Sequence, residues 1–460
     1  GRVTVTENSL DFTTFIIRVP GNALAMRIQI ENSPADLDLF LKYGEEIQDY
    51  NDVDAKSDTD DYNEKLFITR FSDPPLQAGI YYLDVAYQRS RTPRVDKKSL
   101  RSIPFKIALE LIEAKAEAAL TVNQEFSSML FPETGMVRTF TADVPFGTRD
   151  LRVDLYGSNS DLDLLINHGK PALSMESADY ASESLLSKES IIISGSLDNP
   201  LKPGTYFITV IDQLTGKRPE KFSLCVSFEK EPPAFLLRLP FTRVPENSRE
   251  NAFSSVVEVI SESQKGSGCL VNPAGYIITS YHVVRGNSGD PDGNLTVALN
   301  LSNILPPEEL FKARVVEYSQ ALDLALLKIS GGLYGQSVPD DYKFPYLSFG
   351  DPERLVIGES IGLIGYPGIG GTGSRSSITY TRGVVSGFEE TAIGILIKTD
   401  GALHTGSSGG AAVNSFFELM GFPTTIIEQN SGHIGFIHTV KMIPEAWLKY
   451  FKQAQMIRYY

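Results

Sequence analysis

Cysteine and tryptophan are nearly missing from this chain, with two cysteines and one tryptophan among 460 residues. Two thiols cannot build a disulfide framework. Cys225 and Cys269 also fall in different predicted domains, so both are expected as small buried apolar residues, with a single bridge as the alternative. Basic residues are in deficit as well: 42 lysines and arginines face 57 acids, for a formal net charge of −15. That balance argues against nucleic acid or an anionic membrane as partner, because both need basic patches. No apolar run approaches the ~20 residues of a membrane-spanning helix. Histidines number five, and no Cys/His cluster has zinc spacing, so no catalytic metal is expected. The chain starts Gly1-Arg2-Val3 with neither a methionine nor a signal peptide. This predicts a mature or trimmed form, with any export signal out of view.

Strand formers, by contrast, are plentiful, and the length leaves room for about three domains with cores of their own. The first half reads as a duplication. Asp36-Leu37-Asp38-Leu39 recurs as Asp161-Leu162-Asp163-Leu164, and the same shift maps Val19-Pro20 onto Val144-Pro145, Gly44 onto Gly169, Pro75 onto Pro200, Gly79 onto Gly204, Tyr81 onto Tyr206 and Gln88 onto Gln213. Each copy reads as seven or eight short strands separated by turn signals, a β-sandwich pattern. Alternation puts Asp36 and Asp38 on one face of a strand, as it does Asp161 and Asp163. Such paired oxygens could hold calcium, with acids from Asp49–Asp61 closing the shell; the alternative is a polar sheet face bonded to its own loops. Residues 31–64 hold twelve acids against Lys42 and Lys56, and the acidic run 45–64 within them is read as a solvated loop. Helix formers at Ile112–Ala119 predict a short helical connector between the copies, and the prolines after Glu231 predict an extended linker. The expected division is 1–116 and 117–231 for the two repeats, 232–247 for the linker and 248–460 for the last domain.

Near the end stands Thr405-Gly406-Ser407-Ser408-Gly409-Gly410. A serine among glycines suits an activated nucleophile, since the backbone can bend tightly and a substrate carbonyl can approach. The N–H groups of Gly406 and Ser408 could then both face a developing oxyanion. Upstream, Gly266–Val271, a turn at Asn272–Gly275, and Tyr276–Val284 read as a hairpin with His282 at its far end. Asp323 stands at the mouth of a second apolar strand, Leu324–Ile329. His282, Asp323 and Ser408 run in the order of a chymotrypsin-type triad, in which an acid orients the histidine that deprotonates the serine. Gly406–Gly410 also satisfies the G-x-S-x-G elbow of α/β-hydrolases, but this half has no βαβ alternation to carry one.

The residues GSGCLVNPAGYIITSYHVV, VVEYSQALDLALLKI, SFGDPERLVIGESIGLIGYPG, TRGVVSG, TDGALHTGSSGGAAV and HIGFIHTV follow in order. Together they resemble the protease domain of the HtrA/Deg branch of trypsin-like serine proteases, over residues of about 250–445. The resemblance implies two six-stranded β-barrels with His282, Asp323 and Ser408 as the triad. It also implies extracytoplasmic cleavage of protein or peptide substrates in a bacterium, secreted or periplasmic, with homo-oligomers possible. It places Gly401, Ala402 and Leu403 along the specificity pocket and His404 near its rim; with no acid there, small or medium apolar side chains are the expected preference. The other histidines (His168, His433, His438) are expected to be structural. Tyr281, where the family usually has a small residue, and Ser407, where it usually has Asn, depart from the pattern, as does His404-Thr405 for Asn-Pro. They leave open a catalytically impaired fold serving binding or adhesion. The switch that pairs a new N-terminal amine with an acid before the nucleophile is unavailable, since Ser407 holds that place. The glycine- and serine-rich stretch 366–380 is the candidate mobile loop beside the site. No PDZ domain is expected to follow, and Ile443–Tyr450 reads as one closing helix. Each repeat resembles the bacterial pre-peptidase C-terminal (PPC) domain, a jelly-roll-like module, through its Asp-Leu-Asp-Leu strand and its Gly79-Ile80-Tyr81-Tyr82 or Gly204-Thr205-Tyr206-Phe207 strand start. The fold class expected is all-β: two jelly-roll-like sandwiches, then a chymotrypsin-like double barrel with a C-terminal helix. No cofactor is expected beyond that calcium.

Overall fold

The computed structural model describes residues 2–3, 12–31, 33–59, 63–87, 103–195, 199–212, 218–240, 245–286, 288–368, 375–429 and 432–451, without the side chains of 2–3, 425–429 and 432–433. Gly1, Gln88, Gln213, Asp60, Asp61, the linker residues Phe241–Val244, the 369–374 part of the candidate loop and the His433 side chain lie outside the described residues. The chain divides into two compact units. The first holds Gly1–Leu151, Asp163–Ser182 and Ile193–Phe222, and the second holds Arg152–Leu162, Glu183–Ile192 and Ser223–Tyr460.

In the first repeat, Phe12–Val19, Gly79–Ala86, Asp38–Tyr43 and Ala55–Ser57 form one sheet, and Lys65–Thr69, Ala23–Glu31 and Lys106–Glu113 the other. Alternate residues of both sheets (Ile17, Met26, Ile28, Leu39, Leu41, Tyr81, Leu83) interdigitate in one core. The second repeat again has two sheets. One orders Ala116–Ala119, Val137–Val144, Gly204–Ile211, Asp163–His168 and Tyr180–Ser182; the other orders Glu125–Leu130, Glu220–Ser227, Asp150–Tyr156 and Glu189–Ser194.

The duplication has a physical basis in the Gly-x-Tyr strand start. Gly79 and Gly204 adopt φ +143° and +127°, and a Cβ there would stand 2.7 Å from the Tyr43 ring or from His168 Nε2. Only glycine passes that close. Two residues on, the hydroxyls of Tyr81 and Tyr206 accept the N–H groups of Gln77 and Lys202, each at 2.9 Å. The match extends to Tyr43 and His168, whose N–H groups are taken by Asp54 and Asp179 at 2.6 and 2.9 Å.

The expected helix over Ile112–Ala119 is not formed. Lys106–Glu113 and Ala116–Ala119 are strands, the latter parallel to Val137–Val144. Eight residues are too few to offset helix nucleation unaided, and a sheet edge takes their backbone groups instead.

The second unit contains two closed antiparallel barrels. Val256–Ile260, Lys265–Asn272, Tyr276–Thr279, Leu324–Gly332, Glu308–Ser319 and Leu295–Leu299 close the first. Ser360–Gly365, Thr379–Thr391, Gly394–Thr399, Gly432–Thr439, Leu419–Gln429 and Ala411–Val413 close the second. Leu270, Ile277, Val297, Phe311 and Leu327 fill the first barrel, and Ile361, Val385, Ile397 and Ile437 the second. A third core joins them through Val256, Ile278, Ile364, Val413 and Phe422, sealed by Trp447 and Phe451. The closing helix is a 3₁₀ helix, Glu445–Tyr450, rather than an α-helix. Before the first barrel stands an α-helix, Ser248–Ser255, whose Asn247 cap accepts the Glu250 N–H at 3.0 Å. Cys225 and Cys269 are both buried and are not joined in a disulfide.

Candidate active site

The hairpin that carries His282 turns at Asn272–Gly275, where Gly275 has φ +86° and gives its N–H to the Asn272 carbonyl at 3.0 Å. Its second strand, Tyr276–Thr279, runs into a one-turn helix, Tyr281–Val284. Asp323 locks that turn in place. Its carbonyl accepts the Tyr281 N–H at 3.1 Å, its Oδ1 accepts the His282 N–H at 2.9 Å, and its Oδ2 lies 2.8 Å from His282 Nδ1. An ionised carboxylate only accepts, so Nδ1 carries the proton and Nε2 presents its lone pair. Asp323 reaches this position with φ +48°, a left-handed conformation that Asp tolerates better than most residues. Burial pushes its carboxyl up, but hydrogen bonds and charge from His282, with the Thr424 hydroxyl at 3.3 Å, outweigh burial and hold it below the ordinary carboxylate value.

Ser408 sits on a tight turn entering the second barrel. The Ser407 N–H bonds the His404 carbonyl at 2.9 Å, and the Gly410 N–H bonds the Ser407 carbonyl at 3.0 Å. Gly406 and Gly409 have φ +95° and +77°, and a Cβ on Gly409 would lie 2.4 Å from the Ser267 carbonyl oxygen. Among the described residues, the N–H groups of Gly406 and Ser408 donate to no protein acceptor. Ser408 Oγ makes a long contact, 3.5 Å, to the Thr424 carbonyl. Thr424 therefore touches both Ser408, through its carbonyl, and Asp323, through its hydroxyl. No hydrogen bond joins Ser408 to His282 among the described residues. Such contacts are commonly loose without substrate and tighten when it binds.

Beside Ser408 lies a cavity of about 260 Å³ lined by Leu403, His404, Thr405, Ser407, Pro423 and Thr424. Of the expected wall, Leu403 and His404 line it. Gly401 instead gives its N–H to Thr399 Oγ1 at 3.0 Å, and Ala402 is exposed with its carbonyl bonded to Thr381 Oγ1 at 2.8 Å. Among the described residues, no carboxylate lines this cavity.

Sequence reasoning missed Thr424, and with it Ser267, whose N–H bonds the Ser408 carbonyl at 3.0 Å and whose hydroxyl bonds the Gly406 carbonyl at 2.7 Å. Neither residue lies in a catalytic motif. Lys265–Asn272 is buried at every position after its first, so no alternation singles Ser267 out, and Thr424 meets Ser408 through its main-chain carbonyl.

Tyr281 turns away from the site. Its ring stacks on Tyr318 at 5.3 Å, and its hydroxyl bonds the Gly289 carbonyl and the Gln320 amide. His438 is buried, with no partner for its Nδ1 among the described residues, while His168 Nε2 lies 3.2 Å from the Pro203 carbonyl.

In the first repeat Asp36, Asp38 and Glu64 bring one oxygen each within 4.8 Å of one another. Glu64 was missed as a partner, and it accepts from Ser57 Oγ and from the Thr59 N–H and Oγ1 at 3.1 and 2.5 Å. In the second repeat Asp161 faces Lys265 Nζ at 3.4 Å, and Asp163 is half-buried. The Lys265 ammonium beside Asp161 favours the polar-face alternative in the second repeat, while the three converging carboxylates of the first fit either alternative.

Residues 266–421 match the family model described as a trypsin-like peptidase domain. The chain is 31% identical over 179 residues to a probable periplasmic serine endoprotease DegP-like of Chlamydia pneumoniae, covering 38% of this chain and 31% of that one. It is 31% identical over 182 residues to the serine protease Do-like HtrA of Lactococcus lactis subsp. cremoris, covering 36% and 39%. A solved HtrA-type protease, AlgW with tripeptide, aligns with 27% identity and a TM-score of 0.36 over 46% of this chain and 65% of its own. The chain thus spans about a third of the length of the curated relatives it matches. Residues 266–421, which hold most of the two six-stranded barrels, thus match the trypsin-like peptidase domain, and the chain is similar there to serine proteases of the HtrA type.

Proposed function

We propose that the chain is a serine endopeptidase that cleaves proteins outside the cytoplasm. The observation that carries this reading is the His282–Asp323 pair, linked through Thr424 to Ser408. Ser408 Oγ attacks the scissile carbonyl while His282 Nε2 takes its proton. Asp323 fixes the tautomer and stabilises the imidazolium. The free N–H groups of Gly406 and Ser408 receive the oxyanion. Collapse of the tetrahedral species expels the amine, protonated by His282, and leaves an acyl-serine. Water, deprotonated by the same imidazole, then releases the acid.

The cavity beside Ser408, walled by Leu403 and Pro423 and with no carboxylate among its described residues, favours small or medium apolar side chains over Lys or Arg. Location outside the cytoplasm is supported by the relatives named periplasmic. No helix of the described residues is long and apolar enough to cross a membrane.

A fluorophosphonate probe, which reacts only with an activated serine, tests the reading on the full chain. Labelling and casein digestion are expected, and Ser408→Ala should abolish both. Labelling that survives Ser408→Ala overturns the assignment of the nucleophile. No labelling of the folded parent would favour a binding protein, and labelling with short-chain ester turnover but no proteolysis would favour an esterase.

A further inference from the structure

Seven residues after Gly368 the chain buries a cation. Arg375 is 5% exposed, and its guanidinium meets acceptors from three directions. Nη2 donates to Glu258 Oε2 at 2.8 Å and to the Pro307 carbonyl at 2.6 Å, while Nη1 donates to Ser187 Oγ at 2.9 Å. Glu309 Oε1 lies 3.2 Å from Nη1. Ser187 in turn gives its N–H and hydroxyl to the two oxygens of Glu309, at 2.9 and 3.0 Å. Lys188 Nζ binds the adjacent acid, Glu308, at 3.1 Å. Glu258 and Glu309 stand on strands of the first barrel. Ser187 and Lys188 come from the sequence of the second repeat, in the segment Glu183–Ile192 that shares the barrels' compact unit. One guanidinium thus serves two buried carboxylates and a serine at once, a geometry that its planar fork permits and an ammonium does not.

The segment anchored this way also holds the turn before Ser408. Ser376, next to Arg375, gives its hydroxyl to the Pro367 carbonyl at 2.6 Å. On either side of Pro367, the Tyr366 N–H bonds Ser267 Oγ at 2.8 Å and the Gly368 N–H bonds the Thr405 carbonyl at 2.8 Å. A trans peptide points its C=O and the following N–H in opposite directions. Holding the Thr405 oxygen on Gly368 therefore fixes where the Gly406 N–H points. Ser267 Oγ, fixed by Tyr366, holds the Gly406 carbonyl in turn.

Resting on the peptidase reading above, we propose that Arg375 is a positioning residue through which the Ser187–Lys188 turn of the second repeat sets the Gly406 N–H for the oxyanion. The repeat segment is then a working part of the active site, acting without touching substrate. A loop at 366–380 that was expected to be loose has its described ends clamped, which is what a preorganised oxyanion donor requires.

The test uses the full chain with Ser187→Ala, Arg375→Gln and Arg375→Lys, reading the fluorophosphonate inactivation rate resolved into its maximal rate and its half-saturating concentration, casein hydrolysis, and a cooperative thermal transition as the check on folding. Arg375→Gln is expected to lower the maximal rate roughly 10- to 100-fold, part of the loss seen when an oxyanion donor is removed. The half-saturating concentration should change less than about threefold, because the binding cavity is untouched. Arg375→Lys should recover part of the rate, and Ser187→Ala, which leaves both ion pairs, should lose roughly three- to tenfold. If Arg375→Gln does not fold, Ser187→Ala decides. Folded Ser187→Ala with a maximal rate within twofold of the parent overturns the proposal, as does a loss that falls on the half-saturating concentration alone. A parent that no probe labels overturns the peptidase reading itself, and this inference falls with it; a parent that labels normally confines any failure to Arg375.

Discussion

Asp323→Asn separates the electrostatics of the site from its architecture. Asn is nearly isosteric and tolerates the left-handed backbone at this position, φ +48°, where Ala would add strain. The carboxylate accepts three hydrogen bonds, from the His282 N–H on Oδ1 and from His282 Nδ1 and the Thr424 hydroxyl on Oδ2. An amide must turn its NH₂ toward one of these. Placed at Oδ2, it donates to Nδ1 and drives the imidazole proton to Nε2, the atom that must accept from Ser408. Placed at Oδ1, it opposes the His282 N–H, donor against donor, and loses a bond at the helical turn that carries the histidine. The first arrangement costs less, so the wrong tautomer should dominate. The lost rate should be roughly 10³- to 10⁴-fold in kcat, or about 4–5.5 kcal/mol of transition-state stabilisation, with KM changed little. Steady-state hydrolysis of a peptide substrate, with a denaturant melt run alongside, measures both. Asp323→Asn retaining more than a tenth of parental kcat while folded would refute the role given to Asp323.

His438 supplies a pH-dependent stability. Burial pushes its imidazole below the ordinary value, although the Asp323 charge and the Leu322 carbonyl pull the other way. A depressed folded value means that stability is intact above the unfolded histidine value of ~6.5 and lost as pH falls through the folded one. The denaturant midpoint should therefore drop below about pH 6.5, and His438→Phe should flatten that limb; an unchanged limb would show that another group drives it. In the repeats, Gly204→Ala sets a Cβ 2.7 Å from His168 Nε2 at φ +127°. It should cost about 1–3 kcal/mol by denaturant unfolding, and a loss under about 0.5 kcal/mol would mean that the strand start relaxes freely.

The strands were legible where side-chain pattern and backbone agree. Asp-Leu-Asp-Leu, the Gly-x-Tyr starts and the Asn272–Gly275 turn each pair a residue type with a conformation it favours. Segments whose structure depends on distant partners were not. Ala116–Ala119 has the composition of a helix, yet the edge it joins lies some twenty residues ahead, at Val137–Val144. The helix Ser248–Ser255 did carry a start signal, Asn247 with Glu250 three residues on, but the prolines before it drew the reading toward an extended linker.

The same distinction applies to the site. His282, Asp323 and Ser408 stand out because their chemistry needs rare residue types in special backbone settings. Thr424, Ser267 and Tyr366 act through a hydroxyl or main-chain groups that register alone aims, so their types reveal nothing. Tyr281 is the instructive departure. A bulky ring beside His282, together with Ser407, is what leaves open the binding-protein alternative with a distorted site. The backbone settles where the ring goes: successive residues of a helical turn point about 100° apart, so a turn that aims His282 at Asp323 must send Tyr281 elsewhere. Its ring stacks on Tyr318, and its hydroxyl finds Gly289 and Gln320. Ser407 likewise stays local, its Oγ 3.4 Å from the His404 N–H. Ser407, His404 and Thr405 line the cavity beside Ser408, so among the departures from the family pattern Tyr281 is the one whose ring packs clear of the proposed chemistry.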